Sequence, residues 1–481
     1  MITVLVVGAG PTGLTLACDL ARRGLSVRII DRAPRFPDSS RGKGLQPRSL
    51  EVFDDLGVAE EILRSGTQKV VFRHYEHDQV LRDVALYGHL QPSPDVPYLT
   101  TLLIPQWRIE QILRAKLAEF GVRVELRSEL TSFAHTDTGV NATIVADGRT
   151  EHVDVDYLVG CDGGKSGIRK SLGISFEGDT NATQVMLCGD VEVEGLPRDA
   201  WHQWLGDGEI LLICPLPGTS AWQFQASPID DSEPSLETFQ RIVDQRTGMP
   251  IRLSNPTWLS TYRVNVRVAD RLRVGRVFLA GDAAHVHPIA GGLGMNTGIQ
   301  DAYNLGWKLA SASERLLDTY QEERLPIAEW TLRTSSRSSA AVAAAGKDRS
   351  AGVDAGMTDD VRQLGLNYRW SSLSRDVIDR GERLQAGDRA PDGVLTTPDG
   401  QVRLFDVFRG PGFTLLGFGA GCADALAQLS DRMCTYLVTE DVAAYGIDGD
   451  TLVLVRPDGY VGLTAAGDDP DAVLDYVKTI M

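Results

Sequence analysis

Lysine is scarce in this 481-residue chain: eight of its 48 cations are lysines, so arginine carries nearly all of the positive charge. The balance is acidic, with a formal net charge of −17. That excludes a basic nucleic-acid surface. It does not exclude a phosphate site, where local N–H groups and single arginines set the field. The arginine bias reads as GC-rich coding rather than as mechanism. Six cysteines are present (Cys18, Cys161, Cys188, Cys214, Cys422 and Cys434), yet no two have CxxC spacing. They suggest buried thiols in a reducing compartment, with neither a disulfide framework nor a thiolate metal cage. His285 and His287, two apart, are unsuited to sharing a metal from a helix face. No metal site is expected. No apolar run approaches ~20 residues, so no membrane-spanning helix is expected. Met1 leads straight into a strand pattern, so no signal peptide is expected. The composition fits a cytoplasmic enzyme of two or three domains.

What is there begins with a glycine turn. Val4, Leu5, Val6 and Val7 form an apolar run, the turn GAGPTG follows, and Leu14, Leu16, Ala17 and Leu20 repeat at helical spacing. This is the strand–turn–helix setting of a dinucleotide fingerprint. Gly8 permits the tight turn, Gly10 lets backbone approach a pyrophosphate, and Gly13 lets the helix lie on its strand. Pro11 and Thr12 open that helix, whose N-terminus offers N–H groups and partial positive charge to phosphate. The next apolar run ends at Asp31, placed to take ribose hydroxyls, and Arg32 follows it. A second nucleotide-facing turn, GDAAH from Gly281 to His285, lies far down the chain. Two such turns imply one dinucleotide gripped at both ends, as FAD is held rather than free NAD.

Residues 1–75, 97–183 and 271–380 alternate strand and helix patterns, an α/β nucleotide domain with a helical extension. Residues 76–96 and 184–270 change to short alternating strands, an antiparallel sheet inserted between the halves and expected to bind substrate. There Trp222 and Phe224 share one face while Gln223 and Gln225 share the other. Trp222, Phe224 and Gln225 are the candidates to line the substrate, with a place in the sheet core as the equal alternative for the aromatics. The Ala/Ser/Gly-rich stretch 335–357 is expected to end a helix and begin a linker. Residues 385–481 form a small separate α/β domain. Its RPDG turn at Arg456 to Gly459 is expected to do no more than join two strands, and Cys422 lacks the partner that disulfide exchange would need.

Three motifs in order, GAGPTG, CDGGKSGIRK at 161–170 and GRVFLAGDAAHVHPIAGGLGMNTGIQDAYNLGWKLA at 275–310, carry a family resemblance. Over nearly its whole length the chain resembles the single-component FAD-dependent aromatic hydroxylases, class A flavoprotein monooxygenases, in their phenol hydroxylase and aromatic polyketide hydroxylase branch. The resemblance implies an α/β fold with a Rossmann-like FAD-binding domain, an inserted antiparallel-sheet substrate domain and a C-terminal thioredoxin-like domain used for packing or a homodimer. It implies FAD with NADPH or NADH, molecular oxygen, and a small-molecule aromatic substrate, phenolic or of polyketide type, hydroxylated through a flavin hydroperoxide in secondary metabolism.

The resemblance also assigns residues. Asp282 would accept from the ribityl chain, while Gly291, Gly292, Gly294, Met295 and Asn296 would bring backbone N–H groups to the pyrimidine edge. Pro288 would stand near the reacting carbon, or simply precede the helix. Asp162 and Gly163 match a segment associated with FAD and NAD(P)H, and Arg41, Gln46 and Gln106 match flavin contacts. Arg169 would support the loop. Lys43 departs from the family, whose phenol hydroxylase-like members carry an acid nearby. As a cation it is no base; it is left to attract an anionic substrate or the nicotinamide cofactor, or to be solvated. Three rivals remain open: a Baeyer–Villiger oxygenase, an antibiotic-inactivating oxygenase, and, from another class, a non-catalytic FAD-binding partner protein.

Overall fold

Thr3–Val7 is buried along its centre, as a run of aliphatic residues without alternation requires of a strand covered on both faces. In the computed structural model it pairs in parallel with Ser26–Ile30 on one side and Tyr157–Gly160 on the other. Val124–Glu125 and Val277–Leu279 extend this sheet in parallel, and Arg273–Val274 closes one edge antiparallel. The helices Pro11–Arg22 and Leu293–Ser311 pack against each other over it. The structure describes residues 3–480 apart from 41, 207–208, 289, 349–351, 382, 398–399 and 441. The candidate Arg41 lies outside the described residues.

The second layer is an eight-stranded sheet in the order His285–Val286, Arg252–Ala269, Phe176–Glu194, Ala221–Ala226, Glu209–Pro215, Trp201–Gly206, Val71–Glu76 and Gln79–Ala85. Its pairs are antiparallel except that between Trp201–Gly206 and Val71–Glu76. Two expected boundaries are corrected here, because the breaks at 75 and 183 fall inside strands that belong whole to this sheet. Hydrogen-bond ladders, not shifts in composition, decide membership. The helix Leu236–Thr247 covers the sheet's outer face, capped by Ser235 Oγ accepting from Thr238 N–H at 3.1 Å. Phe224 and Phe239 stack at 4.2 Å in the core beneath it.

The helix Glu314–Asp348 ends inside the 335–357 stretch, as expected, but runs on well past residue 335, so the first part of the expected linker is helix. Thr334, Ser335 and Ser338 are buried, and Ser335 Oγ donates to Thr331 C=O at 2.7 Å. The small residues there allow close packing and keep their polar atoms on the helix itself.

The C-terminal sheet has the order Arg375–Asp376, Val461–Ala466, Thr451–Val455, Thr414–Phe418 and Cys434–Val438. Its edge strand begins before residue 385, a third shifted boundary. Trp307 and Leu316 of the main body share a core with Leu415, Leu426 and Val473 of this unit. The RPDG turn is more than a strand connection. Arg456, fully buried, donates to both oxygens of Glu323 at 2.6 and 2.9 Å and to Asp458 Oδ2 at 2.6 Å. Lys308 and Asn304, on the Leu293–Ser311 helix, reach Glu323 Oε2 at 2.6 and 2.8 Å, and Arg48 donates to the Asp458 carbonyl at 2.8 Å.

Candidate active site

One cavity of about 1320 Å³ runs from the first glycine turn to the inner face of the eight-stranded sheet. At its first end the walls are backbone. Gly8 has φ +107°, and a Cβ there would lie 2.2 Å from the Cys161 carbonyl oxygen; a Cβ on Gly13 would lie 2.0 Å from the Gly8 oxygen. Both are fixed by the approach of strand and helix. Gly10 differs: a Cβ there meets nothing within 4 Å. Its position opens on the cavity, at the N-terminus of a 12-residue helix with Pro11 in its first turn and no side-chain cap. The helix therefore keeps N–H groups for an anion. Asp31 accepts from the backbone N–H groups of Ala9 and Ala33, both at 2.8 Å, and lines the cavity with the exposed Arg32. Asp162 Oδ2 accepts from Gly167 N–H at 2.8 Å, while its Oδ1 is enclosed without a hydrogen-bond partner. Gly163 follows at φ +81°. Arg169 ties this loop to the second turn, donating to Gly164 C=O at 2.9 Å and Ala283 C=O at 2.7 Å. The free helix end, the open place at Gly10 and the orphaned carboxylate oxygen fit a dinucleotide such as FAD.

The middle of the cavity is walled by Asp282, His287, Pro288 and residues 291–295. Gly291 and Gly292 take φ +81° and +63°, a left-handed pair that turns the chain into the Leu293–Ser311 helix. Gln46 fixes this turn. Its Nε2 donates to Gly291 C=O at 2.8 Å and its Oε1 accepts from Thr101 Oγ at 2.8 Å. Gln106 Oε1 accepts from Gly42 N–H at 3.0 Å, closing the facing loop.

At the far end the walls are side chains. Lys43 is buried at 8% exposure, with its Nζ 4.3 Å from the Trp201 ring centre and donating to Gln223 Oε1. Gln225 Nε2 donates to the same oxygen at 3.1 Å. Gln223 in turn donates to the Ser40 carbonyl, and Ser40 N–H to Asp190 Oδ2 at 2.7 Å. Asp190 Oδ1 has no hydrogen-bond partner. Burial pushes the Asp190 carboxyl up to about 6 and pulls the Lys43 ammonium below its usual range. Met186, Cys188, Trp258 and Tyr262 complete this wall.

Several expectations are corrected. Lys43 is not solvated; the sheet covers it. Trp222 and Phe224 are 1% and 0% exposed on the outer face, under the Leu236–Thr247 helix, while Gln225 alone of the three candidates lines the cavity. Alternation put the aromatics on one face, and the covering helix made that face the core. Gly13 and Gly281 also stand behind the wall, because a Cβ on either would strike backbone or, for Gly281, Thr12 Oγ at 2.5 Å. The Asn296 side chain is consumed as a bolt: Oδ1 accepts from Gln46 N–H at 2.8 Å, and Nδ2 donates to Gly44 and Gly292 carbonyls at 3.0 and 2.7 Å. Thr12 lines the cavity and also fills the space that Gly281 and Gly298 leave. Cys188 and Asp190 were missed. They pair across the strands with Gln225 and Gln223, so choosing the glutamine face would have found them. Among the described residues no cluster of metal-ligating side chains occurs, and no helix is long and apolar enough to cross a membrane.

A parallel nucleotide sheet with its glycine turn, a second turn returning to the same cavity, and a sheet closing the far end define the fold of a flavin-dependent monooxygenase. Residues 1–335 match the family model described as an FAD binding domain, and residues 384–480 match the C-terminal model of aromatic-ring hydroxylases. The chain belongs to this family of FAD-dependent aromatic-ring hydroxylases. A flavin-dependent monooxygenase of Mycobacteroides abscessus is 43% identical over 100% of both chains. The 6-methylpretetramide 4-monooxygenase of Streptomyces rimosus is 42% identical over 71% of this chain and 62% of its own length. The solved complex of aklavinone-11 hydroxylase with FAD and aklavinone superposes with a TM-score of 0.84 at 26% identity, covering 100% of this chain and 98% of that one. The protein is thus an FAD-dependent aromatic monooxygenase, a class whose usual reductant is NAD(P)H.

Proposed function

We propose that this enzyme hydroxylates a phenolic or polyketide-type ring held between the flavin and the inner face of the eight-stranded sheet. The observation that carries this reading is the single cavity joining the glycine turns to Lys43 and Gln225. Its 1320 Å³ exceeds the ~300–1,000 Å³ of a pocket for one small ligand, which leaves room for cofactor and substrate together. The relatives named for pretetramide and aklavinone chemistry support a polycyclic, oxygen-rich substrate. The parallel sheet would serve as the FAD-binding domain, the eight-stranded sheet as the substrate domain, and the C-terminal unit as a thioredoxin-like domain available for a homodimer.

In this reading the Pro11–Arg22 helix holds the pyrophosphate, with Gly10 giving it room and Gly8, Gly13 and Thr12 fixing the turn. Asp31 and Arg32 face the adenosine end and Asp282 the ribityl chain. The backbone of Gly291, Gly292, Gly294 and Met295 meets the pyrimidine edge, Pro288 bounds the ring, and Gln46, Gln106 and Asn296 hold that wall in shape. The Asp162–Gly163 loop faces the passage that NADPH or NADH would use. When bound, FAD carries electrons from the nicotinamide to molecular oxygen and delivers one oxygen atom to the ring. The chain's part is orientation and a proton. As the neutral amine that burial favours, Lys43 gives one N–H to Gln223 and keeps a lone pair to meet a phenolic hydroxyl. Because burial favours its neutral form, the amine can take the phenol's proton, giving phenolate and ammonium with charge conserved.

Reduction of bound FAD by NADPH or NADH in a stopped-flow instrument tests the reading. With a phenolic polyketide present it should be fast, and without one slow. Lys43→Met should raise the KM for that compound about tenfold, the loss of a bond to a charged group. Equal reduction rates with and without the aromatic compound would sink the hydroxylase reading, and a ring-expanded ester in place of a hydroxylated product would favour ketone oxidation.

A further inference from the structure

His285 and His287 have no role in the scheme above, yet they connect the cavity to a buried ion pair. Asp301, on the Leu293–Ser311 helix, is 1% exposed and both its oxygens are engaged. Oδ1 accepts from Arg324 Nε at 2.7 Å, and Oδ2 accepts from Gly281 N–H at 3.0 Å and lies 2.6 Å from His285 Nε2. Burial opposes the charge on Asp301, but Arg324 and His285 outweigh it and hold the carboxyl well below its usual range. A carboxylate only accepts, so His285 Nε2 carries its proton. In the neutral ring Nδ1 is then bare, and it accepts from His287 Nε2–H at 2.9 Å. The same logic leaves His287 Nδ1 as a lone pair. That atom is enclosed and has no hydrogen-bond partner, in a ring that lies in the cavity wall against Gly294.

We propose that His285 and His287 form a proton store that takes up one proton when negative charge is created in the adjoining cavity, as on two-electron reduction of FAD. The proposal rests on FAD lying against residues 291–295. A proton from solvent binds His287 Nδ1, the proton on His287 Nε2 crosses to His285 Nδ1, and the charge comes to rest on the His285 imidazolium beside Asp301. One N–H bond forms on each ring and one breaks on His287, for a net uptake of one proton. The groups surrounding the pair are Asp301 and Arg324, with Tyr320, Tyr368 and Cys161 behind them. Of these Asp301 is the counter-charge that an imidazolium meets directly. Burial keeps His287 well below its ordinary range, so the ring that faces the cavity starts neutral.

The midpoint potential of the bound FAD, followed from about pH 5 to 8 where imidazoles change charge, reads the store directly. A two-electron couple falls by about 30 mV per pH unit for each proton taken up, since a tenfold change is 29.6 mV. The parent should fall at about 60 mV per pH unit over part of this range, the reduction's own proton plus the stored one. His287→Gln, similar in volume and still polar, should return the slope to one proton. A role in packing alone would alter FAD affinity and leave the slope untouched. A one-proton slope in the parent, or a two-proton slope retained in His287→Gln, overturns the proposal. Purified protein that holds no FAD and takes none up overturns the reading beneath it as well.

Discussion

The two ends of the cavity are built from different material. At the nucleotide end the contacts offered are backbone: an uncapped helix N-terminus at Gly10 and the left-handed pair Gly291 and Gly292. At the sheet end they are side chains, Lys43 from a loop and Gln225 from a strand, backed by Gln223 and Asp190, which strand register sets opposite each other. Backbone sites suit a cofactor that never changes, since glycine and helix geometry leave little to adjust. Side-chain sites can be respecified residue by residue without disturbing the fold. A family that shares one flavin and varies its substrate needs one end of each kind.

The sharpest way to break this comparison is at the glycines, where the largest effect is expected. Gly10 has φ −76°, open to any residue, and its Cβ position is empty. Gly10→Val should therefore fold normally and lose FAD, with affinity down by at least a hundredfold, since ~3 kcal/mol of phosphate contact is a modest loss for charged hydrogen bonds. Gly13→Val should instead fail to fold, because its Cβ would sit 2.0 Å from a carbonyl oxygen. Circular dichroism separates the two, and absorbance near the flavin bands reads retention. A yellow Gly10→Val protein would mean that the pyrophosphate does not lie there.

How much could be read from the chain follows the same division. The nucleotide end was legible because its requirements are local: GAGPTG needs only its own strand and helix, Gly8 and Gly13 each answer to a contact within that unit or its neighbouring strand, and Gly10 to the open space before it. The sheet end was legible only in its alternation. That Trp222 and Phe224 share a face is in the sequence; that the Leu236–Thr247 helix covers this face is a tertiary fact. Lys43 was visible as an oddity, but its burial depends on Gln223 and Trp201, far away along the chain. The Arg456 network was invisible for the same reason, since Glu323 and Lys308 approach it only in the fold.

That network sharpens the comparison from behind. Arg456, Glu323 and Lys308 are fully buried; Lys308 and Asn304 sit on the Leu293–Ser311 helix, whose first turn walls the cavity, and Arg48 on the helix Pro47–Asp55, which Gln46 of the cavity wall precedes. Arg456→Met leaves Lys308 as the one cation among the described residues bonded to the Glu323 carboxylate, which the two together hold well below its usual range against the effect of burial, and takes from Asp458 its bonded arginine. Breaking one partner of a buried ion cluster costs about 3–5 kcal/mol. The variant should show a marked fall in Tm and weaker FAD retention, because the helix Leu293–Ser311 loses its anchor. It also bears on truncation: removing the C-terminal unit exposes the shared core around Trp307 and should take FAD binding with it. An Arg456→Met protein as stable as its parent would show that the cluster is neutral to folding.

The smallest effect expected is at the sheet end, and its sign is the point. Asp190 is buried, its carboxyl raised from 3.8 to about 6, with burial the largest cause and only partial relief from Ser40 N–H and Lys43. For an acid with a raised folded value, the native state binds more protons than the unfolded chain between about pH 4 and 6, so stability falls as pH rises through that window. Above it the full deficit of ionising a buried carboxyl is present. Asp190→Asn keeps an oxygen to accept from Ser40 N–H and removes the charge. It should therefore melt higher than the parent at pH 8, by on the order of 1–2 kcal/mol once the lost attraction to Lys43 is discounted, and should match it near pH 4. If the melting difference were the same at both pH values, the carboxylate would not be the source. If the more stable variant also bound the phenolic substrate less well, the far wall of the cavity would be a place where stability has been given up for recognition.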